Sequence, residues 1–172
     1  MSCVAVSAGY STACGVNRVK FSARTDPGNT MRIERKALVS HNALEMYRLV
    51  ADVPAYPQFL SWCTAAVVHE QDETSQKAEL TVSIAGIRQR FATLNTLRAG
   101  ESVEMRLLEG PFKSLQGSWN FDQLGNEGCR VSLVLEFEIS AGPLAAVFGK
   151  GFGRIADRLV SDFCKRADTV YG

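Results

Sequence analysis

The chain has 172 residues, 46% of them hydrophobic and 22% charged, and a formal net charge of +1. That length suits one domain with a sizeable core. Residues 1–30 hold Arg18, Lys20 and Arg24 against Asp26, which leaves 16 basic and 17 acidic residues in the remainder. A near-neutral body argues against bulk electrostatic binding to nucleic acid, and against DNA as a partner, but leaves room for a local basic patch. No apolar run approaches the ~20 residues of a membrane-spanning helix.

Five cysteines, at 3, 14, 63, 129 and 164, make an odd number with no C-x-x-C pair. A disulfide framework or zinc site is not expected, and a reducing compartment is. The two histidines, His41 and His69, are too isolated to form a metal site. No cofactor is expected.

Residues 1–30 contain Ser, Ala, Gly and Thr without sustained periodicity. They read as a disordered, dispensable extension, or as sequence upstream of a start at Met31. The competing readings are a basic, acid-poor transit peptide and a small ordered element.

From Met31 to Val39 the pattern predicts a first strand. Asn42 then caps a helix, and Glu45 three residues on completes a capping box. Ala43, Met46, Tyr47 and Val50 form its buried face. Pro54 and Pro57 stop this helix and shape a second short one over about 54–60.

After Trp62 the period changes from 3.6 to 2. Leu80, Val82 and Ile84 alternate with Glu79, Thr81 and Ser83, and Gly86 breaks the run. The strand after it places Ile87, Gln89, Phe91, Thr93, Asn95 and Leu97 on one face. Val103, Met105 and Leu107 mark the next strand, and Leu115, Gly117, Trp119 and Phe121 the one after. Val131, Leu133, Leu135, Phe137 and Ile139 mark the last. Short strands joined by tight turns imply an antiparallel meander of about six strands, or seven with the first.

From Gly142 to Tyr171 the period returns to 3.6. Leu144, Phe148, Phe152, Ile155, Leu159, Phe163, Ala167 and Val170 fall on one stripe, with Pro143 in the first turn. A helix with such an apolar stripe needs a concave apolar partner, and the sheet supplies it. The predicted class is therefore α+β, a sheet curved around a C-terminal helix.

The candidates for chemistry are few. Gln89, Thr93 and Asn95 share an inward face with Phe91. They either bond locally or offer hydrogen bonds to a ligand in a cavity. Gly149-Lys150-Gly151-Phe152-Gly153 fails as a phosphate loop, because it lacks the required spacing and lies in a helical pattern. These glycines mark either close packing or a flexible point through which the first half of the helix shifts to admit a ligand. Cys63 and His69 raise a thiol–base pair, against the plainer reading of a small buried thiol. No catalytic constellation stands out, so no enzymatic activity is expected.

The run Val53-Pro54-Ala55-Tyr56-Pro57-Gln58-Phe59-Leu60-Ser61-Trp62-Cys63 resembles the coenzyme Q-binding and ribosome association toxin branch of the START-like superfamily of polyketide cyclases, dehydrases and lipid transport proteins. Asn42 to Val50, Leu108 to Trp119 and Phe148 to Tyr171 agree, so the resemblance covers Met31 to Gly172. It implies a helix-grip fold, an antiparallel sheet gripping the C-terminal helix around a cavity. It also implies two activities. The leading expectation is carriage of a hydrophobic ligand, ubiquinone or another lipid, in support of respiration. The alternative is a toxin that binds the large ribosomal subunit and blocks subunit association. A cyclase-like enzyme is a third.

The expected cavity walls are Phe91, Trp119, Phe121, Phe148, Phe152 and Ile155, with Thr93 and Asn95 as polar groups. Tyr56, Phe59 and Trp62 are expected to flank the mouth, held on a proline-stiffened turn. For ribosome binding, the candidate patch is drawn from Arg88, Arg90, Lys113, Lys150, Arg154, Arg158, Lys165 and Arg166. The implied location is the cytoplasm, with peripheral contact at the inner membrane, or the mitochondrion under the transit-peptide reading.

Overall fold

Alternation dictates the sheet. In the last strand, Val131, Leu133, Leu135 and Phe137 are each at most 3% exposed, while the intervening Val134 and Glu136 are only half-buried. Such a strand buries one face, and its neighbours repeat the pattern. The computed structural model describes residues 30–126, 128–142 and 145–172. The expectations for residues 1–29, for Pro143 and for Leu144 lie outside the described residues.

The elements run β1 (Met31–Val39), α1 (Ala43–Ala51), a 3₁₀ turn (Val53–Gln58), β2 (Cys63–Gln71), β3 (Ser75–Ile84), β4 (Ile87–Arg98), β5 (Ser102–Glu109), β6 (Phe112–Leu124), β7 (Gly128–Ile139) and α2 (Ala145–Tyr171). One seven-stranded sheet has the order β1-β7-β6-β5-β4-β3-β2, and every pair is antiparallel. The two short helical elements carry the chain from β1 to the far edge. A meander of hairpins then returns to β7, beside β1. This is the α+β helix-grip architecture expected from the sequence.

Local chemistry sets the joints. Asn42 Oδ1 accepts from the Glu45 N–H at 2.9 Å, and Glu45 Oε2 accepts from the Asn42 N–H at 3.0 Å, a complete capping box for α1. The β3–β4 hairpin turns on Ala85 and Gly86, both at positive φ, as a two-residue loop of the twist-matched kind requires. At Gly110, φ +147°, a Cβ would lie 2.5 Å from Phe91 Cβ, so only glycine lets the β5–β6 connection pass that close to the β4 backbone.

The long helix α2 lies across the concave face. Phe152 meets Phe91, Phe112 and Phe137 edge-on, and about three turns later Phe163 meets Trp119, Tyr56 and Phe59. Its buried side is wider than the expected stripe, because Ala156, Val160 and Cys164 are buried too. Val170, expected on that stripe, is 46% exposed, since the sheet no longer reaches it. The helix end is fixed elsewhere: His41 Nε2 and Asp168 Oδ1 lie 2.9 Å apart, and the Tyr171 ring stands 6.0 Å from the imidazole.

Candidate functional site

A cavity of about 80 Å³ lies between the sheet and α2. Phe91, Trp119 and Leu135 line it from the sheet, and Phe152, Ile155 and Leu159 from the helix. Ile155 and Leu159 are only half-buried although they sit on the inner stripe, because they face this space rather than packed side chains. Tyr56 and Trp62 border it from the segment after α1.

Two expected wall residues, Phe121 and Phe148, and one expected at the mouth, Phe59, lie off the cavity. Phe121 stacks beside Trp119 and takes an edge-on contact from Tyr47, because α1 covers that end of the sheet. Phe148 packs on Phe112 and Phe152, one turn beyond the cavity. Phe59 sits behind the wall, edge-on to Tyr56 and Phe163, with the Arg166 guanidinium 5.3 Å from its ring centre.

The polar corner resolves in favour of local bonding. Thr93 and Asn95 do line the cavity, but Thr93 Oγ1 donates to Asn95 Oδ1 at 2.9 Å. Asn95 Nδ2 donates to Gln76 Oε1 at 3.0 Å, and Gln76 Nε2 donates to the Ala51 carbonyl at 2.9 Å. This chain ties β4 and β3 to the end of α1. Gln76, 1% exposed, is the member that sequence reading missed. Its signal was available, since carrying the Leu80–Val82–Ile84 alternation back through Ala78 places Gln76 inward. Gln89, also expected inward, is half-buried.

Tyr56 is held in place, its hydroxyl donating to the Val50 carbonyl at 2.6 Å, and burial pushes the phenol's pKa upward. Trp62 differs. Among the described residues, only Trp62 Nε1 and Arg166 Nε are buried side-chain polar atoms without a hydrogen-bond partner.

Cys63 and His69 do not meet. Six residues of strand separate them, about 20 Å. Cys63 Sγ donates to the Ala65 carbonyl at 3.4 Å, and burial pushes its thiol up to about 11, away from thiolate reactivity. His69 instead faces Glu79 at 3.4 Å. Among the described residues there is no group of three or more His, Cys, Asp or Glu placed to hold a metal ion. No helix there is long and apolar enough to cross a membrane.

The basic candidates divide. Arg90 lies 3.7 Å from Glu79, Lys113 lies 2.6 Å from Glu138, and Arg166 donates to Gln58 Oε1 at 2.9 Å beneath Phe59. Arg88 is exposed on the hairpin of β4, apart from the helix stripe. Lys150, Arg154, Arg158 and Lys165 are all exposed and follow one another at helical spacing on the outward side of α2, over about 22 Å of helix. Of the acids nearby, Asp157 pairs with Arg35 and Asp168 with His41, while Asp162 lies 3.8 Å from Arg158 of the stripe itself. One helix thus lines the cavity on one side and carries a cationic stripe on the other.

Known proteins resemble this chain in sequence and in fold. Residues 39–164 match the family model described as polyketide cyclase / dehydrase and lipid transport. A Vibrio cholerae protein named ribosome association toxin RatA is 44% identical over 141 residues, 82% of this chain and 98% of its own length. A mitochondrial coenzyme Q-binding protein COQ10 homolog B from Xenopus laevis is 28% identical over 136 residues, 74% of this chain but 54% of its own. In fold, the Zhui aromatase/cyclase of a Streptomyces species superposes with a TM-score of 0.72 at 17% identity, covering 81% of this chain and 94% of that one. Seven antiparallel strands around a C-terminal helix, and a family match across most of that unit, place the chain in the START-like polyketide cyclase/dehydrase and lipid transport family.

Proposed function

We propose that this chain binds the large ribosomal subunit and blocks subunit association. The observation that carries the reading is the 44% identity to a protein named ribosome association toxin, across nearly all of that protein's length. The coenzyme Q-binding relative is more distant and matches over about half its length. That reverses the order of the two expectations drawn from the sequence. The docking face we assign is the stripe Lys150, Arg154, Arg158 and Lys165, which presents cations to the phosphates of ribosomal RNA. Such contact needs only a local patch, which a near-neutral body can carry. The test is co-sedimentation of the purified chain with isolated large and small subunits. Binding to the large subunit, weakening with salt, is expected; sedimentation with neither subunit overturns the reading.

A second reading is carriage of a hydrophobic ligand, and the apolar cavity supports it. Its size narrows the ligand. About 80 Å³ is roughly half the ~150 Å³ of an engineered cavity that holds benzene. A long isoprenoid tail does not fit this cavity unless α2 moves. Ligand soaks followed by mass spectrometry of the washed protein test it, and recovery of no organic molecule counts against it.

A further inference from the structure

We infer that the chain self-associates through the free edge of β2, which pairs antiparallel with β2 of a second copy about Val67. The inference stands apart from both readings above.

A sheet edge leaves a row of backbone donors and acceptors unpaired, and proteins guard such edges with charge, proline or a covering element. This sheet has two edges, β1 and β2. β1 is guarded: Arg32, Glu34 and Lys36 are exposed along it, and Arg35 ties it to Asp157 of α2. β2 is not. From Cys63 to Val68 it holds no charge and no proline, and Val67 is 46% exposed. Among the described residues, β3 is the only strand that pairs with β2.

Backbone alternation fixes the register. The Ser83 N–H donates to the Trp62 carbonyl, and the Asp72 N–H to the Ser75 carbonyl, so the odd-numbered residues of β3 bond toward β2. Thr81 and Glu79 belong to that set, and their partners are Ala65 and Val67. Ala66 and Val68 therefore turn their N–H and C=O groups to the open side. Bulges between Cys63 and Ala65 and between Val68 and Glu70 confine the regular edge to Ala65–Val68. A twofold axis through Val67 sets Ala66 of each copy opposite Val68 of the other. Both pairs are then hydrogen-bonded, and each exchanges two bonds.

The side chains suit the same axis. Val67 meets Val67 of the second copy as a non-hydrogen-bonded pair, the closer of the two cross-strand arrangements. Ala65 falls opposite His69, and Thr64 opposite Glu70, so no like charges face each other. The regular edge is far shorter than the roughly 20 residues a side of a standard interface, which makes the dimer weak and concentration-dependent.

Sedimentation velocity of the full chain, from micromolar to near-millimolar concentration, tests the pairing. The expected result is a reversible monomer–dimer equilibrium whose dimer fraction climbs over that range. Val67→Lys sets two ammonium groups against each other and should weaken the dimer at least about tenfold. Val67→Cys, in a chain with Cys3 and Cys14 changed to Ser, should form a disulfide-linked dimer on mild oxidation, because Cys63, Cys129 and Cys164 are buried. If Val67→Lys does not fold, the cross-link decides alone. A chain that stays monomeric throughout overturns the inference and leaves the edge to an extended segment of another protein. A dimer that Val67→Lys leaves intact, or that Val67→Cys does not cross-link, has its contact elsewhere and overturns the pairing.

Discussion

Gly151 of α2 lies directly against Ile84 at the end of β3: a Cβ added to the glycine would overlap the isoleucine's Cγ2. The glycine-rich point therefore has a packing reason at this position. Gly149 is also close-packed, its Cβ position 3.2 Å from Ile139 Cγ1, whereas a Cβ on Gly153 meets nothing within 4 Å. Only Gly153 remains as pure conformational looseness.

The glycines should accordingly answer in opposite directions. Gly151→Ala overpacks against Ile84 and should destabilise the fold by about 1–3 kcal/mol. Gly153→Ala enters open space in a helix interior and should stabilise by about 0.5–1 kcal/mol. Urea unfolding of each single variant measures both. A stabilised Gly151→Ala would restore the hinge reading for that position.

Gln76 holds the polar corner together. Gln76→Ala leaves the Asn95 amide and the Ala51 carbonyl without their partners. The expected loss is about 1–3 kcal/mol, from unsatisfied buried groups on top of the lost side chain. Denaturation of this variant beside Glu73→Ala, whose side chain is exposed in the β2–β3 turn, gives the comparison. Equal stabilities would remove the corner from the account.

Asp72 supplies a pH dependence. Its carboxylate accepts from the backbone and hydroxyl groups of Thr74 and Ser75 across the β2–β3 turn, which holds its pKa down to about 2 from an ordinary 3.8. A depressed carboxylate contributes stability that is present above the unfolded value and lost as pH falls through the folded one. The wild-type chain should therefore lose more stability than Asp72→Asn between pH 4 and about pH 2. Parallel pH profiles for the two proteins would contradict the assignment.

Phe163 anchors the far end of α2 and is 1% exposed among Trp119, Tyr56 and Phe59. Phe163→Ala should cost about 3–5 kcal/mol. Phe59→Ala, truncating a half-buried ring, should cost less. Calorimetric melting of the pair checks the order, and the reverse order would place the seam's weight on the turn instead.

Much of this fold could be read from residue spacing. The Asn42–Glu45 box, the alternation in β4 to β7 and the stripe through Phe152 and Phe163 each rest on short-range rules that the tertiary structure leaves intact. The cavity was less legible. Period assigns a residue to a face but does not say what covers it. Phe121 shares a face with Trp119, yet α1 packs on one through Tyr47 while the cavity opens beside the other. Phe148 shares a stripe with Phe152, yet stands one turn past the cavity. The unpaired Trp62 nitrogen depends on where every neighbour's polar atoms fall, and no local pattern carries that. The cationic stripe lay between these cases. Its spacing was readable, but only the fold shows that Lys150, Arg154, Arg158 and Lys165 face outward together on α2 while Arg88, Arg90 and Lys113 lie on the sheet and Arg166 turns to Gln58.

The central claim is that this chain keeps ribosomal subunits apart through the outward side of α2. The direct measurement mixes purified subunits under associating conditions and follows the joined ribosome on a sucrose gradient, with and without the chain. Wild-type protein should lower the joined peak in proportion to its concentration. A variant with Lys150, Arg154, Arg158 and Lys165 all changed to Glu, checked for an unchanged melting temperature, should leave that peak intact. An undiminished peak with saturating wild-type protein would contradict the function, and full activity in the folded charge-reversed variant would contradict the docking face.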